Sequence, residues 1–207
     1  MSLLAALDHA AVFVFALTGA LVASRAQLDL IGFVFLAALT AVGGGTLRDV
    51  ILNRDVVFWV ANPAFIGVAA VAAVIVFFTA HLLESRYRGI VWLDALALAV
   101  AVPFGVGVAL AMDMPWSIVV IMGITTGCFG GLMRDVVCNE VPLVLKQGEL
   151  YVTCALVGAL ATVAMLALGA PVPIALLCCA AATLALRCGS IALGWRLPVY
   201  KSRPPRR

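Results

Sequence analysis

The sequence predicts an all-α integral membrane protein with seven transmembrane helices, and three observations lead to this fold class. Of the 207 residues, 65% are hydrophobic and 11% are charged, whereas about a quarter of the residues in soluble domains are charged. The apolar residues form runs long enough, or nearly so, to cross a hydrocarbon core of about 30 Å. A motif in the first half of the chain recurs in the second half. No soluble domain fits between the runs, so residues 1–207 are expected to form a single transmembrane domain.

The apolar runs are separated by short segments that carry turn-forming or charged residues, namely SRAQLD, NRD with the following Asn62-Pro63, ESRYRG, MDMPW and GAPVP. Each run predicts a helix, because a membrane span must satisfy its backbone hydrogen bonds internally. We number the runs span one to span seven, at about residues 8–24, 30–52, 60–83, 90–111, 115–138, 149–169 and 172–193.

Basic residues predict the orientation, because loops rich in Lys and Arg stay on the cytoplasmic side. The basic residues of alternate connections are Arg25, Arg86, Arg88, Lys146 and the C-terminal cluster. On the opposite connections Arg54 is balanced by Asp55, Asp113 is acidic and GAPVP is uncharged. The N-terminus is therefore predicted outside and the C-terminus in the cytoplasm, in a multi-pass protein of the bacterial inner membrane. The basic tail is expected to meet anionic membrane lipids and not nucleic acid.

Residues that could carry enzymatic or metal chemistry are scattered. His9 and His81 lie far apart in the sequence, and no Ser, His and Asp grouping suggests a nucleophile. The six cysteines fall in or at the ends of apolar runs, without metal-binding spacing beside histidines. The sequence therefore predicts no enzyme, no metal site and no cofactor.

A motif in span two recurs in span five. TAVGGGTLRDVILN at residues 40–53 aligns without a gap with TGCFGGLMRDVVCN at residues 126–139, at an offset of 86 residues, and seven of the 14 positions are identical. The same offset pairs Asp8 with Asp94 in spans one and four. These matches predict the duplication of a three-helix unit.

Because each unit has an odd number of spans, the second unit is expected to be inverted relative to the first. Repeat one covers about residues 8–83 and repeat two about residues 90–169, while span seven, at about 172–193, and the basic tail 194–207 lie outside the repeat. Inverted repeats are frequent in membrane transport proteins, where the pathway lies near the repeat interface and is often flanked by broken helices. This architecture favours a transport function.

The glycines of the two motifs predict either close helix packing or an opening of the backbone. Small residues recur every fourth position along span five, and such a ridge lets two helices approach closely. The glycines Gly43, Gly44 and Gly45, with Gly130 and Gly131 in the second copy, also weaken the helix and permit a kink or a short unwound segment. Unwound backbone at membrane depth is tolerated where it is buried in protein or lines a wet cavity.

Hydroxyl groups precede each arginine by two helical turns. Thr40 and Thr126 can offer them to the same cavity, although a threonine also readily bonds the backbone of its own helix.

The charges of the motifs are expected to be compensated, because an unpaired charge at bilayer depth costs about 2.5 to 3.5 kcal/mol on insertion scales. The expected partners are Asp8 or Asp49 for Arg48, and Asp94 or Asp135 for Arg134. Asp49 and Asp135 follow the arginines by about 100° around the helix and are predicted not to share their direction, so that one of each pair can face a wet cavity. Each arginine acts either as a tether that holds the bundle together or as a gate.

The stretches GGGTLRDV, NRDVVFW and GGLMRDVVCNEVPLVLKQGELY resemble the prokaryotic members of the trimeric intracellular cation (TRIC) channel family, which is also classified as a glycine transporter family. The resemblance covers all seven spans. It implies a homotrimer in which each protomer carries its own pore for monovalent cations, chiefly potassium ions. It also implies that spans two and five, kinked at their glycine motifs, mainly form that pore. Phe129 stands where repeat one has Gly43, which implies a pore narrower at that end.

Two transport functions fit these features. The leading one is a potassium-permeable channel, and the alternative is a secondary transporter of a small neutral solute such as glycine. Neither half contains a TVGYG filter, so selectivity would come from pore width, hydroxyl groups and charge placement. A structural membrane protein whose repeat serves assembly is a third possibility.

Overall fold

The computed structural model describes residues 3–82, 86–146 and 150–198. All regular structure in these ranges is helical, and the helices are α1 (Leu3–Arg25), α2 (Leu30–Ile51), α3 (Phe58–Ala61), α4 (Ala64–Thr79), α5 (Arg86–Ala111), α6 (Trp116–Val137), α7 (Tyr151–Ala167) and α8 (Val172–Leu193). Six of them are long and apolar enough to cross a membrane, and α7 is a shorter apolar helix. With the single-turn α3 set aside, the other seven correspond to the seven predicted spans, which confirms the all-α fold.

The third span begins later than predicted. The chain forms the single turn α3 and breaks at Asn62-Pro63, and α4 begins only at Ala64. Pro63 has no N–H to donate within a helix, but its φ of −62° suits the cap of a new one. The fourth span begins earlier than predicted, at Arg86. The predicted end of span three at Leu83, the predicted start of span six at residue 149 and residues 199–207 of the basic tail lie outside the described residues.

The repeat extends to the helix ends and to the turns. The bounds of α6 follow those of α2 by the same 86 residues at both ends. Among the described residues, four that are not glycine have positive φ, which is uncommon for residues with a Cβ. They form two pairs at the same offset: Gln27 (55°) with Asp113 (53°), and Asn53 (51°) with Asn139 (54°). The two units therefore share backbone conformation in their turns as well as helix positions.

The second helices of the two repeats, α2 and α6, cross in backbone contact. A Cβ atom added to Gly44 would overlap the carbonyl oxygen of Thr126, and one added to Gly130 would overlap the carbonyl oxygen of Thr40. The partner residue moves backward in α6 as the residue number advances in α2, so the two helices run antiparallel at the crossing. This is the arrangement that an inverted repeat requires.

The glycine motifs do not unwind the helices. Both α2 and α6 are helical throughout their glycines, so the possibility of an unwound segment, raised by the sequence, is wrong. The reason is tertiary: the missing side chains let the two backbones touch, and this contact offsets the roughly 1 kcal/mol per glycine by which helix propensity falls.

The remaining small residues set the packing within each repeat. Gly123 and Gly127 of α6 face α5, where added Cβ atoms would lie 2.7 Å from Val106 and Val102 respectively. Gly19 of α1 and Gly105 of α5 occupy equivalent positions and pack directly on α2 and α6. The first helix of each unit therefore lies close to the second, which brings its polar side chains within reach of the arginines.

The crossing generates a prediction about stability. Gly130→Ala forces α2 and α6 apart, since the new methyl group meets backbone that cannot turn away, and we expect a loss of about 1 to 3 kcal/mol. Gly67→Ala in α4 is the matched control, because nothing lies within 4 Å of the added Cβ, and helix propensity predicts no loss there. Thermal unfolding in detergent measures both, and equal tolerance of the two substitutions would contradict the close crossing.

Candidate functional site

Each repeat buries one arginine near the end of its second helix, and we call the surroundings the Arg48 site and the Arg134 site. Because α2 and α6 run antiparallel where they cross, the two sites lie at opposite ends of the protomer. Both arginines are 0% exposed to solvent, as is Asp94 in the Arg134 site. Their charges are therefore met by groups of the same chain.

The Arg134 site is densely hydrogen bonded. Arg134 binds Asp94 of α5 with both terminal nitrogens, at 2.9 Å from Nη1 to Oδ1 and 3.1 Å from Nη2 to Oδ2. Its Nε donates to Oδ1 of Asp135 at 2.8 Å, and Nη1 also donates to the hydroxyl of Thr18 on α1 at 2.9 Å. Bidentate, charge-assisted bonds of this kind are among the strongest in proteins. Both expected acidic partners thus meet this arginine.

The Arg48 site has fewer polar contacts. Arg48 Nε donates to Oδ1 of Asp49 at 2.8 Å, and Nη2 lies 2.7 Å from the same oxygen. That second contact is an ion pair whose angle does not make a hydrogen bond, and Nη1 finds no acceptor among the described residues. Two aromatic rings complete the site: the guanidinium carbon lies 5.0 Å from the centroid of Phe104 and 5.6 Å from that of Phe58.

Asp8, the other expected partner of Arg48, does not form the pair. It lies within electrostatic range of Arg48, but no ion pair within 4 Å joins them. Asp8 is half-buried, whereas Asp94, its equivalent in repeat two, is fully buried.

The acids next to the arginines have a role that their helical position did not predict. We expected Asp49 and Asp135 to point away from their neighbours, and this is wrong, because a long guanidinium side chain folds back over one residue. Each acid also accepts a backbone N–H from the segment that follows its helix. Phe58 N donates to Asp49 Oδ2 at 2.8 Å, and Leu143 N donates to Asp135 Oδ2 at 3.0 Å. The acids therefore join each arginine to the loop beyond it.

The two threonines bond their own helices. The hydroxyl of Thr40 donates to the carbonyl of Leu36 at 2.6 Å, and that of Thr126 donates to the carbonyl of Met122 at 2.7 Å. Of the two alternatives, the structure therefore shows the hydrogen bond within the same helix. Both threonines are buried, Thr40 where α2 packs on α1 and Thr126 where α6 packs on α5. Near Gly43, the side chain of Met133 occupies the space that a Cβ would need, while Phe129 is half-buried.

Four residues of the two sites were not singled out from the sequence. Thr18 and Phe104 occupy equivalent positions and immediately precede the paired Gly19 and Gly105, so alignment of the repeats would have found them. The other two are Phe58 and Tyr151, whose hydroxyl lies 3.4 Å from a Cβ added to Gly131 in the Arg134 site. Both lie within stretches that carry the family resemblance. Their contacts with the sites depend on how the connecting segments fold, which the sequence pattern does not reveal.

Basic residues of the connections gather at one end of the molecule. Arg25, at the end of α1, forms an ion pair with Glu140 after α6, at 3.2 Å from Nη2 to Oε1. The amino group of Lys146 bonds the hydroxyl of Tyr87, and Arg25 lies 5.5 Å from the centroid of that ring. These contacts gather basic residues of alternate connections at one end, the end that also holds the Arg134 site.

The unequal pairing predicts unequal effects of removing equivalent acids. Asp94→Asn removes the charge from a buried bidentate pair, and we expect it to lower the free energy of unfolding by about 1.5 to 3 kcal/mol. Asp8→Asn changes a half-buried carboxylate that forms no ion pair within 4 Å with the described residues, so we expect a change below about 1 kcal/mol. Thermal unfolding of the two variants in detergent tests this, and an equal loss in both would show that the Asp8–Arg48 pair forms as tightly as Asp94–Arg134.

Comparison with known proteins supplies the family. A sequence profile described as "Glycine transporter" matches residues 5–81 and, separately, residues 91–167, which are the two repeats. A UPF0126 membrane protein of Vibrio cholerae is 37% identical over 204 residues, covering 96% of this chain and 83% of the relative. The UPF0126 inner membrane protein YadS of Escherichia coli K12 is 35% identical over 199 residues, covering 94% of each chain.

Solved structures agree with these relatives. A TRIC trimeric intracellular cation channel orthologue from Rhodobacter sphaeroides has 43% identity and a TM-score of 0.89, covering 94% of this chain and 100% of that chain. A TRIC counter-ion channel at 19% identity and a TM-score of 0.62 shares the fold alone. The chain is a multi-pass membrane protein that belongs to the glycine transporter family, the family of the prokaryotic TRIC channels and the UPF0126 membrane proteins.

Proposed function

We propose that the protein is a potassium-permeable channel for monovalent cations, with a pore inside each protomer formed mainly by α2 and α6, and that it assembles as a homotrimer in the inner membrane. A relative with 43% identity over almost the whole chain is a trimeric cation channel orthologue. No residue grouping of an enzyme active site competes with this proposal in the sequence.

The observation that carries the proposal is the presence of a fully buried arginine, compensated within the protomer, at each end of the α2–α6 crossing. Ionisable groups inside a membrane protein are costly to insert and generally mark an ion or substrate pathway. Two such groups at opposite ends, held by the two central helices of an inverted repeat, support a pathway through a single protomer.

Acidic groups compensate the buried positive charges of the two sites. In the Arg134 site two carboxylates, Asp94 and Asp135, bind one guanidinium. In the Arg48 site Asp49 also pairs with Arg54, at 3.3 Å from Nη1 to Oδ1, and Asp8 adds a second acid nearby. Because a positive charge left bare in a constriction would repel potassium, this compensation is what a cation pathway requires.

The alternative is a secondary transporter of a small neutral solute such as glycine, and the family description alone favours it. A carrier of this zwitterion needs an accessible positive and negative group near the middle of the membrane. At the α2–α6 crossing the backbones are in contact, and even one added methyl group overlaps the opposite helix. This conformation has no room for a solute at that point, whereas a channel can be closed there.

Reconstitution in planar bilayers tests the proposal. We expect unitary current steps in symmetrical potassium chloride, with a reversal potential in a salt gradient that moves toward the cation equilibrium value. Selectivity among monovalent cations is expected to be modest, because the chain lacks a carbonyl filter of the TVGYG type. Saturable uptake of labelled glycine into vesicles, without current steps, would instead identify a carrier.

We also propose that the N-terminus faces outside and the C-terminus the cytoplasm, because the end that gathers Arg25 and Lys146 is richer in basic residues. In a background without the six native cysteines, Leu28→Cys should react with a membrane-impermeant thiol reagent only from the cytoplasmic side. Asp55→Cys should react only from outside, since both side chains are exposed on opposite connections. Reaction of both cysteines from the same side would contradict the arrangement.

A further inference from the structure

The two arginine sites are equivalent in sequence but not in contacts, so each site is a reference for the other. Arg134 is held by two carboxylates and the hydroxyl of Thr18, a directional set of hydrogen bonds. Arg48 is held by one carboxylate, and the position of Thr18 is taken by Phe104. A ring face attracts a cation but does not fix its direction, and such a contact is generally weaker than a charge-assisted hydrogen bond. The guanidinium of Arg48 is therefore the more easily turned of the two.

The space beside the last glycine of each motif, Gly45 in α2 and Gly131 in α6, also differs between the two sites. A Cβ on Gly131 would find the hydroxyl of Tyr151 at 3.4 Å and Asp94 Oδ2 at 3.8 Å, which is ordinary contact with polar groups. A Cβ on Gly45 would lie only 2.5 Å from the ring of Phe58. At the Arg134 end this position is lined by polar atoms, whereas at the Arg48 end an aromatic ring fills it.

The ring of Phe58 is carried by a short segment between two membrane helices. It lies on α3, a single helical turn bounded by Asn62-Pro63. Its backbone N–H is bonded to Asp49, the same carboxylate that holds Arg48. This connection is one residue longer than its counterpart, since the donor follows Asp49 by nine residues whereas Leu143 follows Asp135 by eight. The ring, the carboxylate and the arginine therefore form one linked unit.

We propose that Phe58 is the movable plug that closes the pore at the Arg48 end. In the closed state its ring covers Gly45 and lies against Arg48, as the structure shows. On opening, Arg48 turns from Asp49 to Asp8, and α3 carries the ring away from Gly45. The Arg134 site shows that an arginine at this position can bind the acid equivalent to Asp8, because Asp94 is bound to Arg134 while Asp135 keeps its own contact. The inference rests on the proposed channel function.

Single-channel recording in planar bilayers tests the plug. Phe58→Ala should raise the ratio of open to closed time by about five- to tenfold at unchanged unit conductance, the size expected for the loss of one ring contact. Gly45→Ala should have the same effect, because the added methyl group meets the ring of Phe58 and displaces that ring, not the backbone of a neighbouring helix. Asp8→Asn should lower the ratio, since Arg48 then lacks its partner in the open state.

Val60→Ala is the matched control, because it shortens an exposed side chain on the same turn and is expected to leave gating unchanged. If Phe58→Ala does not fold, Gly45→Ala and Phe58→Leu decide, with Phe58→Leu intermediate between parent and Gly45→Ala. Parent-like gating in both Phe58→Ala and Gly45→Ala overturns the plug, as does a change in unit conductance alone. A parent protein that gives no unitary current overturns the channel function and this inference with it, whereas normal parent currents with unaffected variants overturn only the plug.

Discussion

A guanidinium group inside a membrane protein must be neutralised by the fold itself, because lipid offers neither opposite charge nor hydrogen bonds. The carboxylates that neutralise Arg48 and Arg134 lie in the same repeat as each arginine, and both arginines also contact the other repeat. Arg134 of repeat two bonds Thr18 of repeat one, and Arg48 of repeat one lies against Phe104 of repeat two. Each arginine therefore ties the two inverted units together, and the positions of α1 and α5 follow from the need to place these groups beside α2 and α6.

The reach of the arginines depends in turn on how closely the central helices approach. Gly44 and Gly130 allow α2 and α6 to cross with backbone against backbone, and the arginines follow these glycines by one helical turn. A larger residue at either glycine would widen the crossing and move both charges relative to the opposite repeat. The packing and the buried charges are thus parts of one arrangement. The small residues let the two helices approach closely, and the polar residues determine which groups pair.

The prediction from sequence was most successful where the pattern was repeated or periodic. The helices were found from their apolar runs, and Asp94 and Asp135 were both named from the repeat as candidate partners of Arg134. The prediction failed where a side chain could contact either of two nearby groups. Asp49 was expected to point away from Arg48 and is instead its closest partner, because the angle between successive Cβ atoms does not limit where a long flexible side chain ends.

The sequence by itself determined the membrane environment, the seven spans, the repeat and the identity of the buried charges, because hydropathy and duplication are properties of the chain read in order. Only the tertiary structure decided that the glycines join two intact helices, that Asp8 stays apart from Arg48 and that the ring of Phe58 covers Gly45. These outcomes depend on the path of the short connections and on how side chains from different helices pack together. The backbone donor follows Asp49 by nine residues and Asp135 by eight, and a ring covers Gly45 whereas the hydroxyl of Tyr151 lies beside Gly131.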